Sequence, residues 1–252
     1  MPSGHIHPTA IVEPGARLGT GCIVQAYAFV SRHCELGEAV VVHPFALLGG
    51  DPQDLSFRGE VSSGVRIGAR TIIREHVTIS RATQADTCTE IGADCFLMAS
   101  CHVAHDCRIG DRVVIANAVL LAGHVHVDER VFLGGGAVVH QFCRIGENAM
   151  IGGGARISQD VPPFCMATER SALIGLNAVG LRRRGLKAAA LAELKRAYRA
   201  LDVPVGNLRE IAAALLGRGD FVSPEAQTFL KFFCGGRRQF VRSRSRTTAL
   251  EE

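Results

Sequence analysis

The chain has 252 residues, 47% hydrophobic and 21% charged, enough to bury a sizeable core in one large domain or in a large and a small one. No apolar run approaches the roughly 20 residues that span a bilayer, and the opening "MPSGHIHPTA" lacks the basic and apolar regions of a secretion signal, so a cytoplasmic protein without an integral membrane segment is expected. A net charge of +4 is too modest to predict nucleic-acid binding, and nine cysteines without a CxxC pair define neither a disulfide framework nor a zinc site.

From the start of the chain the dominant signal is a period of six. Val12, Leu18, Val24, Val30, Leu36, Val42 and Leu48 follow Ile6 at that spacing, and after an interruption the series resumes at Ile67. It then runs unbroken from Ile91 through Leu97, Val103, Ile109, Ile115, Leu121 and onward to Ile157. Two residues before each aliphatic position stands a small one, among them Ala10, Cys22, Ala28, Cys34, Cys95, Cys101, Cys107 and Cys143. A period of six fits neither a helix nor a simple alternating strand. One aliphatic and one small inward residue per six describe short strands separated by turns, three of which make one triangular coil of a parallel β-helix. Most cysteines are then interior space-fillers, and only Cys88, Cys165 and Cys234 fall outside the pattern.

Between Leu48 and Ile67 the text "GGDPQDLSFRGEVSSG" reads as a loop thrown out from the coil, and the polar "SRATQADTCTE" from Ser80 to Glu90 is a second, weaker candidate. The period stops at "SQDVPPF", where Pro162 and Pro163 are expected to end regular structure. Beyond Gly185 come the amphipathic "LKAAALAELKRAYRAL" and "NLREIAAALL", and a third helix is predicted to begin at Ser223 with Pro224 in its first turn. The division is therefore a β-helix over 1–185 and a small helical domain over 186–252, ending in a basic, frayed tail.

Residues eighteen apart stack when three six-residue rungs make a coil, and adjacent coils lie about 4.8 Å apart. His105 then sits under Gly123 and Gln141, flanked by His102, His124 and His140, with Asp106 alongside. A neutral imidazole accepts a proton near neutral pH, and a carboxylate on its other nitrogen fixes the tautomer, so His105 as base with Asp106 as orienting acid is the simplest assignment. No serine or reactive cysteine is in register, which favours direct attack by a substrate hydroxyl over a covalent enzyme intermediate. Gly123, lacking a side chain, lets its N–H approach a developing oxyanion. The rival reading is zinc held by histidines, as in the gamma-class carbonic anhydrases. A noncatalytic scaffold and an acetyl-CoA-dependent hexapeptide transferase are further alternatives.

The segments "HVAHDC", "LAGHVHV", "AVVHQFCRIG", "QDVPPF", "PQDL" and "GLNAVGLRRRG", in their order along the chain, resemble the UDP-N-acetylglucosamine O-acyltransferases that begin lipid A synthesis. That resemblance implies a trimeric left-handed β-helix with a C-terminal helical domain. It also implies transfer of a 3-hydroxyacyl group from acyl carrier protein to the sugar 3-hydroxyl, without a cofactor or metal. By the same resemblance His105 is the base, Asp106 its acid partner and Gly123 the oxyanion donor. His102, His124, His140 and Gln141 contact substrate, and Gln53 and Asp54 meet the sugar across the trimer interface. Asn177, Arg183 and Arg184 contact the nucleotide or the carrier, and the run Arg182–Arg184 is the one dense patch of positive charge near them. Gly153, stacked on Gly135, matches the family's measure of acyl length and predicts a long chain. Two departures stand out: Ser56 replaces the usual lysine of the loop motif and Val179 replaces a usual glutamate. They leave room for a relative acting on another sugar nucleotide, including a 3-amino sugar acylated on nitrogen.

Overall fold

The computed structural model describes residues 4–203 and 206–243. Short strands from His5–Ile6 to Arg156–Ile157 alternate with four-residue turns, apart from two longer loops, and stack into three parallel sheets, the faces of a left-handed β-helix. Register follows the eighteen-residue repeat: Val103 pairs with Leu121, Leu121 with Val139, and Val139 with Ile157. The reason is burial. Leu97, Leu121, Leu133 and Ile151 are completely excluded from solvent, and the small Cys101, Cys107 and Ala137 fill the tighter space near the corners.

The corners are themselves ordered columns. Asp106, His124 and Phe142 occupy the same turn position in successive coils, each in the left-handed region at φ of 59°, 60° and 65°. Such backbone costs a non-glycine residue about 1–2 kcal/mol. It is offset by turn-to-turn hydrogen bonds, His124 N–H to His105 O at 3.0 Å and Phe142 N–H to Gly123 O at 3.2 Å. Side chains at one corner position are thereby held one above another.

The interior cysteines behave as small hydrophobes: burial pushes the thiols of Cys34, Cys101, Cys107 and Cys143 up to about 12. Pro162 and Pro163, however, do not end the sheet. Both lie in a corner, and strand Cys165–Thr168 continues the first sheet beside Met150–Ile151. Ala172–Leu176 then folds back antiparallel and covers that end of the solenoid.

Four helices follow. The first, α1 (Ala178–Arg183), was not evident in the sequence; Asn177 Oδ1 caps it by accepting from Gly180 N–H at 3.1 Å. The others are α2 (Ala188–Leu201), α3 (Leu208–Arg218) and α4 (Pro224–Phe232), the last capped by Ser223. The expected divide at 185/186 falls between α1 and α2. Leu194, Ala197, Ala212, Phe229 and Leu230 form a second core with Phe164 and Cys165. Part of the expected tail packs instead of fraying: Phe240 and Val241 are buried, and Arg242–Ser243 pairs with Ala172–Leu173. Residues 244–252 of that tail lie outside the described residues. Among the described residues no helix is long and apolar enough to cross a membrane.

Candidate active site

The corner between the second and third sheets carries the histidines. Both loops leave from it, residues 51–63 after strand Leu47–Gly50 and residues 81–87 after Thr78–Ser80. His102 ends up beside this corner because its strand, His102–Val103, pairs with Thr78–Ser80 below and Leu120–Leu121 above.

His105 Nδ1 lies 2.8 Å from Asp106 Oδ2, and both side chains are mostly buried. Asp106 is held from three sides: its N–H donates to Thr89 Oγ1 at 2.9 Å, while Thr83 donates Oγ1–H to Oδ2 at 2.7 Å and its N–H to the same carboxylate. Burial alone would raise the Asp106 carboxyl, but the hydrogen bonds from His105 and Thr83 outweigh it and keep the group below its usual value. An ionised carboxylate therefore accepts Nδ1–H, leaving Nε2 of His105 as an unprotonated acceptor. The His124 ring stands edge-on to His105 with centroids 5.2 Å apart and stacks on Phe142 at 4.6 Å. His102 Nδ1 meets Thr78 Oγ1 at 2.7 Å, and burial, then the neighbouring His105, lowers its proton affinity.

Gly123 lies directly against the His105 ring. A Cβ built there would come within 2.5 Å of His105 Cε1 and 2.7 Å of Nε2. Its buried N–H has no acceptor among the described residues. An imidazole acceptor and an unbonded N–H side by side suit removal of a proton from one group while negative charge grows on another.

Asp54 belongs to the same place. The Ser56 N–H and hydroxyl, each 2.8 Å from Oδ1, hold its carboxyl below the usual range, and the imidazoles of His105 and His124 add to the effect. Ser56, where a lysine was expected, thus serves as the partner of Asp54. Gln53 and Leu55 beside it are exposed. Exposed Gln141 is on the same corner, and His140 Nδ1 accepts from Arg238 at 2.8 Å, a contact spanning 98 residues.

Other expected residues sit elsewhere on the coil. Gly153 is at the opposite edge of the second sheet, where a Cβ would come 3.3 Å from Gly135 O. Asn177 and Arg184 meet at the third-to-first corner, Asn177 on Asn148 O at 3.3 Å and Arg184 on Arg130 O at 3.1 Å, with exposed Arg183 beside them. Within one chain they are separated from His105 by the body of the solenoid.

His105, Asp106 and His124 also place ligand atoms within 4.8 Å of one another, close enough to hold a metal ion. The donor set is less suited to zinc than to proton transfer, because the carboxylate is engaged by Thr83 and by His105 Nδ1 at hydrogen-bond distances.

Coils of six-residue rungs with a histidine–carboxylate pair at one corner and a helical C-terminus define a hexapeptide-repeat transferase. Residues 88–123 and 124–159 match the family described as bacterial transferase hexapeptide (six repeats), and residues 160–241 match UDP-N-acetylglucosamine O-acyltransferase, domain 2. The acyl-[acyl-carrier-protein]–UDP-N-acetylglucosamine O-acyltransferase of Herminiimonas arsenicoxydans is 41% identical, covering 90% of this chain and 93% of its own. That of Agrobacterium fabrum is 37% identical with 97% of each chain covered. The solved UDP-N-acetylglucosamine acyltransferase of Campylobacter jejuni superposes with a TM-score of 0.84 at 36% identity, covering 95% of this chain and all of that one. The chain belongs to the UDP-N-acetylglucosamine O-acyltransferase family.

Proposed function

We propose that the protein transfers a 3-hydroxyacyl group from acyl carrier protein to the 3-hydroxyl of UDP-N-acetylglucosamine, the first step of lipid A biosynthesis, in the cytoplasm. The observation that carries this reading is the His105–Asp106 pair, 2.8 Å apart, with Asp54 and the Gly123 N–H beside it. His105 Nε2 takes the sugar hydroxyl proton as the oxygen attacks the thioester carbonyl. Negative charge then develops on the carbonyl oxygen, where the Gly123 N–H stabilises it. Collapse breaks the C–S bond, and the imidazolium returns its proton to the leaving thiolate. Asp106 orients the ring throughout and stabilises its charged form. Gln53, Asp54, His102, His124, His140 and Gln141 bind substrate around the base, and the acyl chain runs toward Gly153.

The active unit is a homotrimer. Asn177, Arg183 and Arg184 reach a base only from a second copy, and Leu55, fully exposed at 103% beside Asp54, needs an apolar surface to cover it. Light scattering should give three times the 26.9 kDa chain mass; a monomer would defeat this arrangement.

The deciding assay offers UDP-N-acetylglucosamine or its 3-amino analogue with acyl-carrier thioesters of several lengths and reads products by mass. The expected product is an ester of the unmodified sugar nucleotide, formed best from a long chain and at an unchanged rate after exhaustive chelation. Product from the amino sugar alone would move the protein to a different acceptor. Loss of rate on chelation, restored by zinc, would favour the metal reading.

A further inference from the structure

Arg81 is fully buried although its neighbours are loops. Its guanidinium donates in three directions: Nε to Asp51 Oδ1 at 2.8 Å, one terminal nitrogen to Val61 O at 2.6 Å and the other to Gly59 O at 2.8 Å. The Phe57 ring covers it, 4.8 Å from centroid to guanidinium carbon. Asp51, Phe57, Gly59 and Val61 all belong to the loop that carries Gln53 and Asp54. One side chain thus gathers both ends of a loop that has no regular structure of its own. Only a planar fork satisfies acceptors placed this way; an ammonium cannot reach all three.

Two residues further on, Thr83 performs a different task. Its hydroxyl and its N–H both end on Asp106, and the hydroxyl shares Oδ2 with His105 Nδ1. We propose that Arg81 and Thr83 are positioning residues for the two halves of the site: Thr83 fixes the carboxylate that orients His105, and Arg81 fixes the loop that presents Gln53 and Asp54. A single short segment, residues 81–83, then sets the base and the sugar-binding loop in mutual register.

The two roles separate in kinetics. Thr83→Val removes one donor from Oδ2, leaving more of its charge to the imidazolium, so His105 becomes a free base only at higher pH. Among the described residues the other charged or titratable groups facing His105 are Asp106, His102, His124 and Asp54, and the substitution leaves all four in place. The Thr83 N–H also persists, so the hydroxyl alone is tested.

The inference rests on the acyl-transfer reading of the same site. Turnover by the unaltered enzyme decides that reading, whereas the variants, each compared with the unaltered enzyme, decide this one. For Thr83→Val the expected result is a kcat about tenfold lower, an acid limb of the kcat/KM profile displaced to higher pH and an unchanged KM for the sugar nucleotide. Thr83→Ser should restore both kcat and the limb. Arg81→Lys should raise that KM about tenfold and leave the limb in place. If Arg81→Lys does not fold, Asp51→Asn, which alters only the loop side of the contact, should raise the same KM by a smaller factor. An acid limb for Thr83→Val that coincides with that of the unaltered enzyme, or Asp51→Asn with an unaltered KM, would overturn the assignment.

Discussion

Replacing His105 with alanine is expected to lower kcat by about a hundred- to ten-thousandfold, with KM for the sugar nucleotide little changed. In the proposed mechanism the imidazole is the proton acceptor beside the Gly123 N–H, and its removal would leave water to take the proton. The proposal distributes binding over the Asp54 loop and the neighbouring histidines, so the ground state should lose little. His124 and His102 stand close but are not expected to replace it. The first has Asp106 Oδ2 only at 3.7 Å, and the second has Nδ1 committed to Thr78. The acid limb of the pH profile, which arises as imidazolium replaces imidazole, should vanish with the ring. Turnover that survives intact would transfer the base role to another residue.

Gly123→Ala is expected to lower kcat about a hundredfold while lowering the melting temperature by only a few degrees. The new methyl would lie 2.5 Å from His105 Cε1, a separation that real atoms do not tolerate, so one partner must move. The backbone of Gly123 is fixed by its bond from Phe142 N–H, whereas the His105 ring can yield by a change of rotamer at the cost of its contact with Asp106. The ring therefore swings away, breaking the 2.8 Å contact with Asp106 and displacing Nε2 from the hydroxyl. A displacement of about 1 Å costs on the order of a hundredfold in rate. Full activity in this variant would mean that the ring has no fixed position during catalysis.

The fold was legible because the demand for two inward side chains in every six residues leaves its mark on each rung. Counting in eighteens brought His105, Gly123 and Gln141 together, and the same count would have found Phe142 above His124. Counting failed wherever a loop intervenes. Thr78 pairs with His102 at a separation of 24, one hexad more than a coil, and Thr83 meets Asp106 at 23, offsets that counting in eighteens does not reach. The Arg238 contact with His140 depends on the chain returning from the helices, which the repeat does not encode. Pro162 and Pro163 were misleading for a related reason: proline interrupts a strand, but at a corner there is no ladder bond to lose. Cys165, outside the hexad pattern, is buried where the two cores meet.

The two ends of the solenoid are unlike. Ala10, Val12, Ala16 and Leu18 in the first coil are only partly covered, whereas the last coil lies under an antiparallel strand and the helices. Because each coil touches only its neighbours, unwinding proceeds from the uncovered end as a zipper opens. His102 lies on the fifth of eight strands in its sheet, so heat or urea should peel several windings before reaching that strand. A molecule already missing its first turns is expected to keep the His105–Asp106 corner intact.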